Sequence, residues 1–251
     1  DISEFYSEIP LSENDDLLLY LFRIAEKTGE KFIMIIDEWD AICREFDPKS
    51  KAMKEYVDFL RLLFKSDKGQ DVFAGVYMTG ILPIKKQGTE SSLNNFWEYS
   101  MTQPRRLAKY FGFTKAEVQA LCEKHNMPME DLERWYDGYS IGDEPSMFNP
   151  SSVMKAIDCG KCDNYWSTTG YFDAITPYIK LDYEGLKSDI SSMVAGASCK
   201  VDVVDFANDP ALINDKEDVL NYLIHLGYLA YNEQDKICYV PNYEVAGELR
   251  R

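Results

Sequence analysis

The chain has 251 residues, 45% of them apolar and 14% aromatic, with a formal charge of −16. Such a composition belongs to a folded globular chain and excludes a disordered one, and the length allows one large domain or two small ones. The charge opposes wholesale nucleic-acid binding by this segment unless its 27 lysines and arginines gather on one face, and no apolar run approaches the roughly 20 residues of a membrane span.

Asp15–Lys27 places Leu17, Leu18, Leu21, Phe22 and Ala25 at helical spacing, and Gly29 ends the helix. Phe32–Asp40 follows, reading Phe-Ile-Met-Ile-Ile-Asp-Glu-Trp-Asp. Its five apolar residues predict a strand buried on both faces of a parallel α/β sheet. The run breaks into Asp37 and Glu38, which sets two carboxylates at the carboxyl end of the strand, the edge where open α/β sheets bind ligands. This is a Walker B pattern. Asp37 is the candidate Mg²⁺ ligand, directly or through water, and Glu38 the candidate catalytic carboxylate that orients the attacking water.

Met53–Ser66 predicts a second amphipathic helix and Val72–Met78 a second strand, a βαβ arrangement. Thr79 ends that strand, where a small hydroxyl can reach a γ-phosphate or the attacking water; a turn threonine before Gly80 is the plainer reading. Lys85 and Lys86 follow in a loop and could meet phosphate, a neighbouring subunit or only solvent.

From Thr114 the character is helical. Thr114-Lys-Ala-Glu117 is a capping box, Asp131–Tyr136 a short helix, and Asn149-Pro150 an N-cap followed by an N1 proline. Asp215–Leu226 predicts an amphipathic helix stopped by Gly227, and Tyr228–Tyr231 and Lys236–Val240 a hairpin around Asn232–Asp235. A helix leading into a hairpin suggests a winged helix, with Lys236 as the single base on its wing.

The six cysteines are scattered without a disulfide framework, which points to reduced thiols and a cytoplasmic protein. Cys159 and Cys162 have C-x-x-C spacing, yet no second pair follows and His125 and His225 are far away, so a structural zinc is not expected. A phosphate-binding loop is missing too. Among the fourteen glycines none has the Gly-x-x-x-x-Gly-Lys-Ser/Thr spacing; Gly160-Lys161 is followed by Cys162 and has Lys155 in place of the first glycine. The chain starts at Asp1, and the expectation is a piece of a longer protein whose phosphate cradle lies upstream. A degenerate ATPase without that cradle is the alternative.

Read together, Ile36-Asp-Glu-Trp-Asp40, Tyr77-Met-Thr-Gly-Ile-Leu-Pro-Ile-Lys85, Asn94-Asn-Phe-Trp-Glu-Tyr-Ser-Met101, Tyr110-Phe-Gly-Phe-Thr114, Trp135-Tyr-Asp-Gly-Tyr139, Asn149-Pro-Ser-Ser-Val153, Tyr165-Trp-Ser-Thr168, Leu223-Ile-His-Leu-Gly-Tyr-Leu229 and Val240-Pro-Asn242 resemble the AAA-ATPase-like proteins commonly fused to a C-terminal PD-(D/E)XK-type nuclease domain. The resemblance implies an α/β fold with a partial P-loop ATPase core over 1–107, a helical lid over 108–180 and a winged-helix-like segment over 181–251. It implies Mg²⁺ and ATP as cofactors of the full-length protein, none bound tightly by this chain alone. It also implies a nuclease-like domain after Arg251 and is compatible with a homo-oligomer. Asp37 and Glu38 match the family's Walker B acids, and Thr79 its strand-end polar residue. The competing function is a non-catalytic interaction module that keeps the fold without hydrolysis.

Overall fold

The computed structural model describes residues 2–42, 46, 50–81, 95–166, 179–180, 182–203, 213 and 215–250. Lys85 and Lys86 lie outside them. The chain is mixed α/β and divides into two compact units, Asp1–Glu98 and Tyr99–Arg251.

In the first unit α1 (Leu17–Thr28) starts at Asp16, whose side chain accepts the Leu19 N–H, and ends at Gly29 in the left-handed region. α2 (Lys51–Lys65) is capped by Ser50 and buries Met53, Leu60, Leu63 and Phe64. Between Ser66 and the second strand runs α3 (Asp67–Val72), where the Ser66 hydroxyl accepts the Gly69 N–H. β1 (Phe32–Ile36) and β2 (Phe73–Met78) pair in parallel, with Ile35 opposite Tyr77 and Ile36 opposite Met78. Phe32 packs on Ile9, Tyr20 and Ile24.

Burial of β1 on both faces is not found. Ile33 and Ile35 are 74% and 73% exposed, while Phe32, Met34 and Ile36 are half-buried. Residues alternate between the faces of a strand, and among the described residues only the Phe32–Met34–Ile36 face is covered.

The second unit holds two small antiparallel sheets. β3 (Phe113–Thr114), β5 (Glu144–Phe148) and β4 (Tyr139–Ile141) form one, with β5 in the middle. α4 (Lys115–His125) springs from the Thr114–Glu117 capping box. With α5 (Met129–Tyr136) and α6 (Pro150–Cys159) it closes a core of Val118, Cys122, Leu132, Tyr136, Phe148, Val153 and Ala156. The second sheet is β6 (Cys199–Lys200), β8 (Ile237–Tyr239) and β7 (Ala230–Asn232), with β8 central. The unit also holds α7 (Leu186–Val194), α8 (Lys216–His225) and α9 (Tyr243–Leu249), with Met193 of α7 against Cys238 of β8. The expected helix and hairpin are present, though β7 begins two residues later than expected and takes in Asn232; Val219, Leu223, Ile224 and Leu229 are buried, while Val240 is half-buried.

Segments 108–180 and 181–251 lie together in this unit, joined by buried polar contacts. The Tyr139 hydroxyl donates to Gly227 O at 2.7 Å, and Asn242 Nδ2 donates to Asp137 O at 2.9 Å. Glu244, 0% exposed, accepts the Ser152 hydroxyl at 2.8 Å and the Tyr165 N–H at 2.7 Å. Glu248 accepts from Asn164 Nδ2 at 2.6 Å.

Burial pushes the Glu244 carboxyl above the usual range, against the hydrogen bonds from Ser152 and from the Tyr165 and Trp166 backbone. An acid raised in the folded state contributes fully to stability below its unfolded value of about 4.3, and that contribution is lost as pH rises through the folded value. Glu244→Gln keeps an acceptor for Tyr165 and should therefore gain stability over the parent as pH rises from 4 to 8. Glu244→Ala, which strands the Ser152 hydroxyl and the Tyr165 N–H, should lose about 2–4 kcal/mol. Urea unfolding across pH checks both; parallel pH curves for parent and Glu244→Gln would clear the carboxylate of this role.

Candidate functional site

The parallel pairing of β1 and β2 sets their carboxyl ends side by side, and the chain leaving each strand is tied to the other. Thr79 N–H donates to Ile36 O at 2.9 Å, and Trp39 N–H donates back to Thr79 O at 2.9 Å. This double tie delivers the Thr79 hydroxyl to Asp37, where it donates to Oδ1. The Glu38 N–H sits 3.1 Å from Asp37 Oδ1 and 3.3 Å from Thr79 Oγ1, so one backbone amide touches both side chains.

Glu38 has φ of 50°, the left-handed region that side chains other than glycine, asparagine and aspartate seldom occupy. Such a residue costs on the order of 1–3 kcal/mol and persists where its surroundings fix it. Here the turn is fixed by Ala41 N–H donating to Glu38 O at 2.9 Å and by the Tyr56 hydroxyl, from α2, donating to Trp39 O at 2.6 Å. Asp37 and Glu38 are exposed and Thr79 is half-buried, so the paired carboxylate faces solvent at the sheet edge.

All three residues singled out from the sequence therefore meet at one place. Asp40, Gly80, Trp39 and Tyr56 also build it and were not singled out. Asp40 is 0% exposed and Trp39 5%, and Asp40 Oδ2 accepts the Ile81 N–H at 3.1 Å. The available signal was the third acid in Asp37-Glu-Trp-Asp40 and the glycine directly after Thr79.

The other candidates do not assemble. Cys159 is exposed at the end of α6 and Cys162 is half-buried, with burial pushing its thiol up, away from the thiolate that metals require. His125 is exposed at the end of α4. Among the described residues no group of three or more His, Cys, Asp or Glu could hold a metal ion unaided. Mg²⁺ does not demand such a cage, since it keeps several waters and takes one or two carboxylates beside substrate phosphates. An exposed Asp37 with a hydroxyl against it fits that donor pattern. No helix among the described residues is long and apolar enough to cross a membrane.

A protein of Azotobacter chroococcum mcd 1, described as "Uncharacterized protein in vnfD 5'region", is 26% identical to this chain over 145 residues, which are 57% of the chain and 28% of that protein. The chain thus matches less than a third of that relative's length. No solved structure matches it. Residues 4–89, the stretch that carries Asp37, Glu38 and Thr79, match the family model described as "Predicted AAA-ATPase" and are similar to that family.

Proposed function

We propose that this chain provides the magnesium- and water-handling end of an ATP-driven switch. The longer polypeptide would supply the phosphate-binding loop upstream and a nuclease-like domain downstream. The observation that carries this reading is the Thr79 hydroxyl on Asp37 at the adjoining carboxyl ends of two parallel strands. The family match over residues 4–89 supports it. Mg²⁺ and ATP, when bound, supply the transferable phosphoryl group and neutralise its charge.

Within the chain, Asp37 would hold the ion directly or through water. Glu38, on the next residue, would orient the attacking water and draw its proton. Thr79 would report phosphate occupancy, because its hydroxyl can turn from Asp37 toward a new acceptor. The contacts joining 108–180 to 181–251 suit a single body that responds to nucleotide as one piece. Direct reading of duplex DNA by the hairpin is not part of the proposal: its Lys236 stands 4.0 Å from Asp202 in an ion pair, and the chain carries a charge of −16.

The second reading, a non-catalytic interaction module, is favoured by one observation: no Gly-x-x-x-x-Gly-Lys-Ser/Thr spacing occurs in these residues. The two separate on the longer polypeptide. If it hydrolyses ATP, Asp37→Asn should raise the Mg²⁺ concentration for half-maximal turnover by roughly 10- to 100-fold. A Mg²⁺ dependence identical to the parent's would take Asp37 out of the metal site, and no ATP binding at all would favour the module.

A further inference from the structure

Asp40 is a buried carboxylate at the end of a turn whose first two residues, Asp37 and Glu38, are exposed. Its side chain reaches across to the chain leaving β2, where Oδ2 accepts the Ile81 N–H at 3.1 Å. Gly80 lies against it from the other side: a Cβ there would stand 2.5 Å from Asp40 Oδ1, 2.6 Å from Trp39 Cδ1 and 2.7 Å from Trp39 Nε1. Real Cβ atoms do not come that close, so any side chain at 80 would have to push the buried Asp40 and Trp39 side chains aside.

Ile81 held by Asp40, Gly80 stacked on Trp39, and Thr79 O accepting the Trp39 N–H at 2.9 Å form consecutive ties along one short segment. Thr79 lies at the end of this row, with its hydroxyl on Asp37.

We propose that Asp40 is the positioning residue of the Asp37–Thr79 pair: by clamping Ile81 and closing over Gly80, it fixes the segment that brings the Thr79 hydroxyl to Asp37. Asp40 touches neither ion nor nucleotide in this scheme. The functional meaning of the pair rests on the ATPase reading above, whereas the clamp itself is a statement about geometry.

The physical reason for an oxygen acceptor at position 40 is the amide it satisfies: an N–H left unpaired away from water carries its desolvation cost. Without the clamp, the hydrogen bonds left on residues 79–81 among the described residues are those of Thr79. The Thr79 side chain would then sample other χ1 wells, since a lone hydrogen bond at an exposed strand end contributes only about 1 kcal/mol.

The test is nuclear magnetic resonance on the 251-residue chain without nucleotide or metal. Three-bond couplings from the Thr79 methyl carbon to its backbone nitrogen and carbonyl report the χ1 population, and hydrogen exchange reports the Trp39 amide. In the parent and in Asp40→Asn, which keeps an oxygen for Ile81, Thr79 should hold one rotamer. In Asp40→Ala it should average over wells, and the Trp39 amide should exchange at least about tenfold faster, while amides within β1 and β2 keep their rates. Should Asp40→Ala fail to fold, Gly80→Ala forces the same separation and should give the same pattern.

A single Thr79 rotamer and an unchanged Trp39 amide in Asp40→Ala or Gly80→Ala would overturn the proposal. Equal acceleration across the whole of β1 and β2 would overturn it too, because Asp40 would then merely support the fold. None of these readouts needs ATP, so a failed clamp and a failed ATPase reading are told apart. For the second, Mn²⁺ alone is added to the parent chain, and selective broadening at Asp37 and Thr79 is the metal-binding result.

Discussion

Gly138→Ala should be the most damaging single methyl in the second unit, costing more than about 4 kcal/mol or abolishing its folding, a loss that belongs to the extreme tail of point substitutions. Gly138 has φ of 110°, and a Cβ on it would lie 2.1 Å from Pro241 O, 2.8 Å from Pro241 C and 3.1 Å from Pro241 Cα. All three are backbone atoms, so no side chain can swing aside. Nor can the backbone retreat cheaply. The Tyr239 hydroxyl donates to Gly138 O at 3.1 Å and Asn242 Nδ2 donates to Asp137 O at 2.9 Å, which ties both flanks of Pro241 to both sides of Gly138. Gly160→Ala is the control: its φ is 66°, but nothing lies within 4 Å of the added Cβ. That variant should lose only about 1–3 kcal/mol of backbone strain. Urea unfolding of both decides the matter, and similar losses would mean that the approach to Pro241 is not what demands glycine.

Glu38→Gln should have the largest effect on chemistry. In the longer polypeptide carrying a phosphate-binding loop, turnover should fall by about 100-fold or more with nucleotide affinity retained, the range typical for a lost general base. The amide preserves the size of the side chain and leaves the backbone bonds to Asp37 and Thr79 untouched, but it cannot take a proton from water. The 251-residue chain by itself serves as the blank, because positioning of the phosphate supplies most of this catalysis. Unchanged turnover in Glu38→Gln would remove Glu38 from the mechanism, while loss of nucleotide binding would mean that the residue serves the ground state instead.

What could be read from the sequence was what local chemistry decides. Thr114 and Asn149 cap helices with their own side chains and Gly29 ends one in the left-handed region, so these boundaries follow from single residues; by the same chemistry Asp16 and Gly160 mark two boundaries not singled out from the sequence. Asp37, Glu38 and Thr79 were accessible because a carboxylate or hydroxyl directly after an apolar strand has one place to go. Elements that depend on partners elsewhere were not. β6 is two residues long and exists through pairing with β8, some forty residues on. β5 includes Pro145, which reads locally as a strand breaker. α3 contains Gly69, which weakens its helical signal, although a Cβ there would stand 2.0 Å from Leu63 O. Asp40 reads locally as one more acid after an apolar strand, and its burial and its bond to Ile81 depend on a segment some forty residues on. Ser152 and Glu244 meet across 92 positions, beyond the reach of any sequence window.

The left-handed backbone at Glu38 has a consequence for how this chain can change. Glycine would relax that turn, and asparagine or aspartate would suit it better than glutamate does, so the substitutions that improve folding at position 38 shorten or remove its carboxylate. On the proposed role of Glu38, stability and chemistry pull against each other at this one residue. Any lineage or engineering effort that rewards robustness alone would be drawn toward a sturdier protein without a glutamate at this turn.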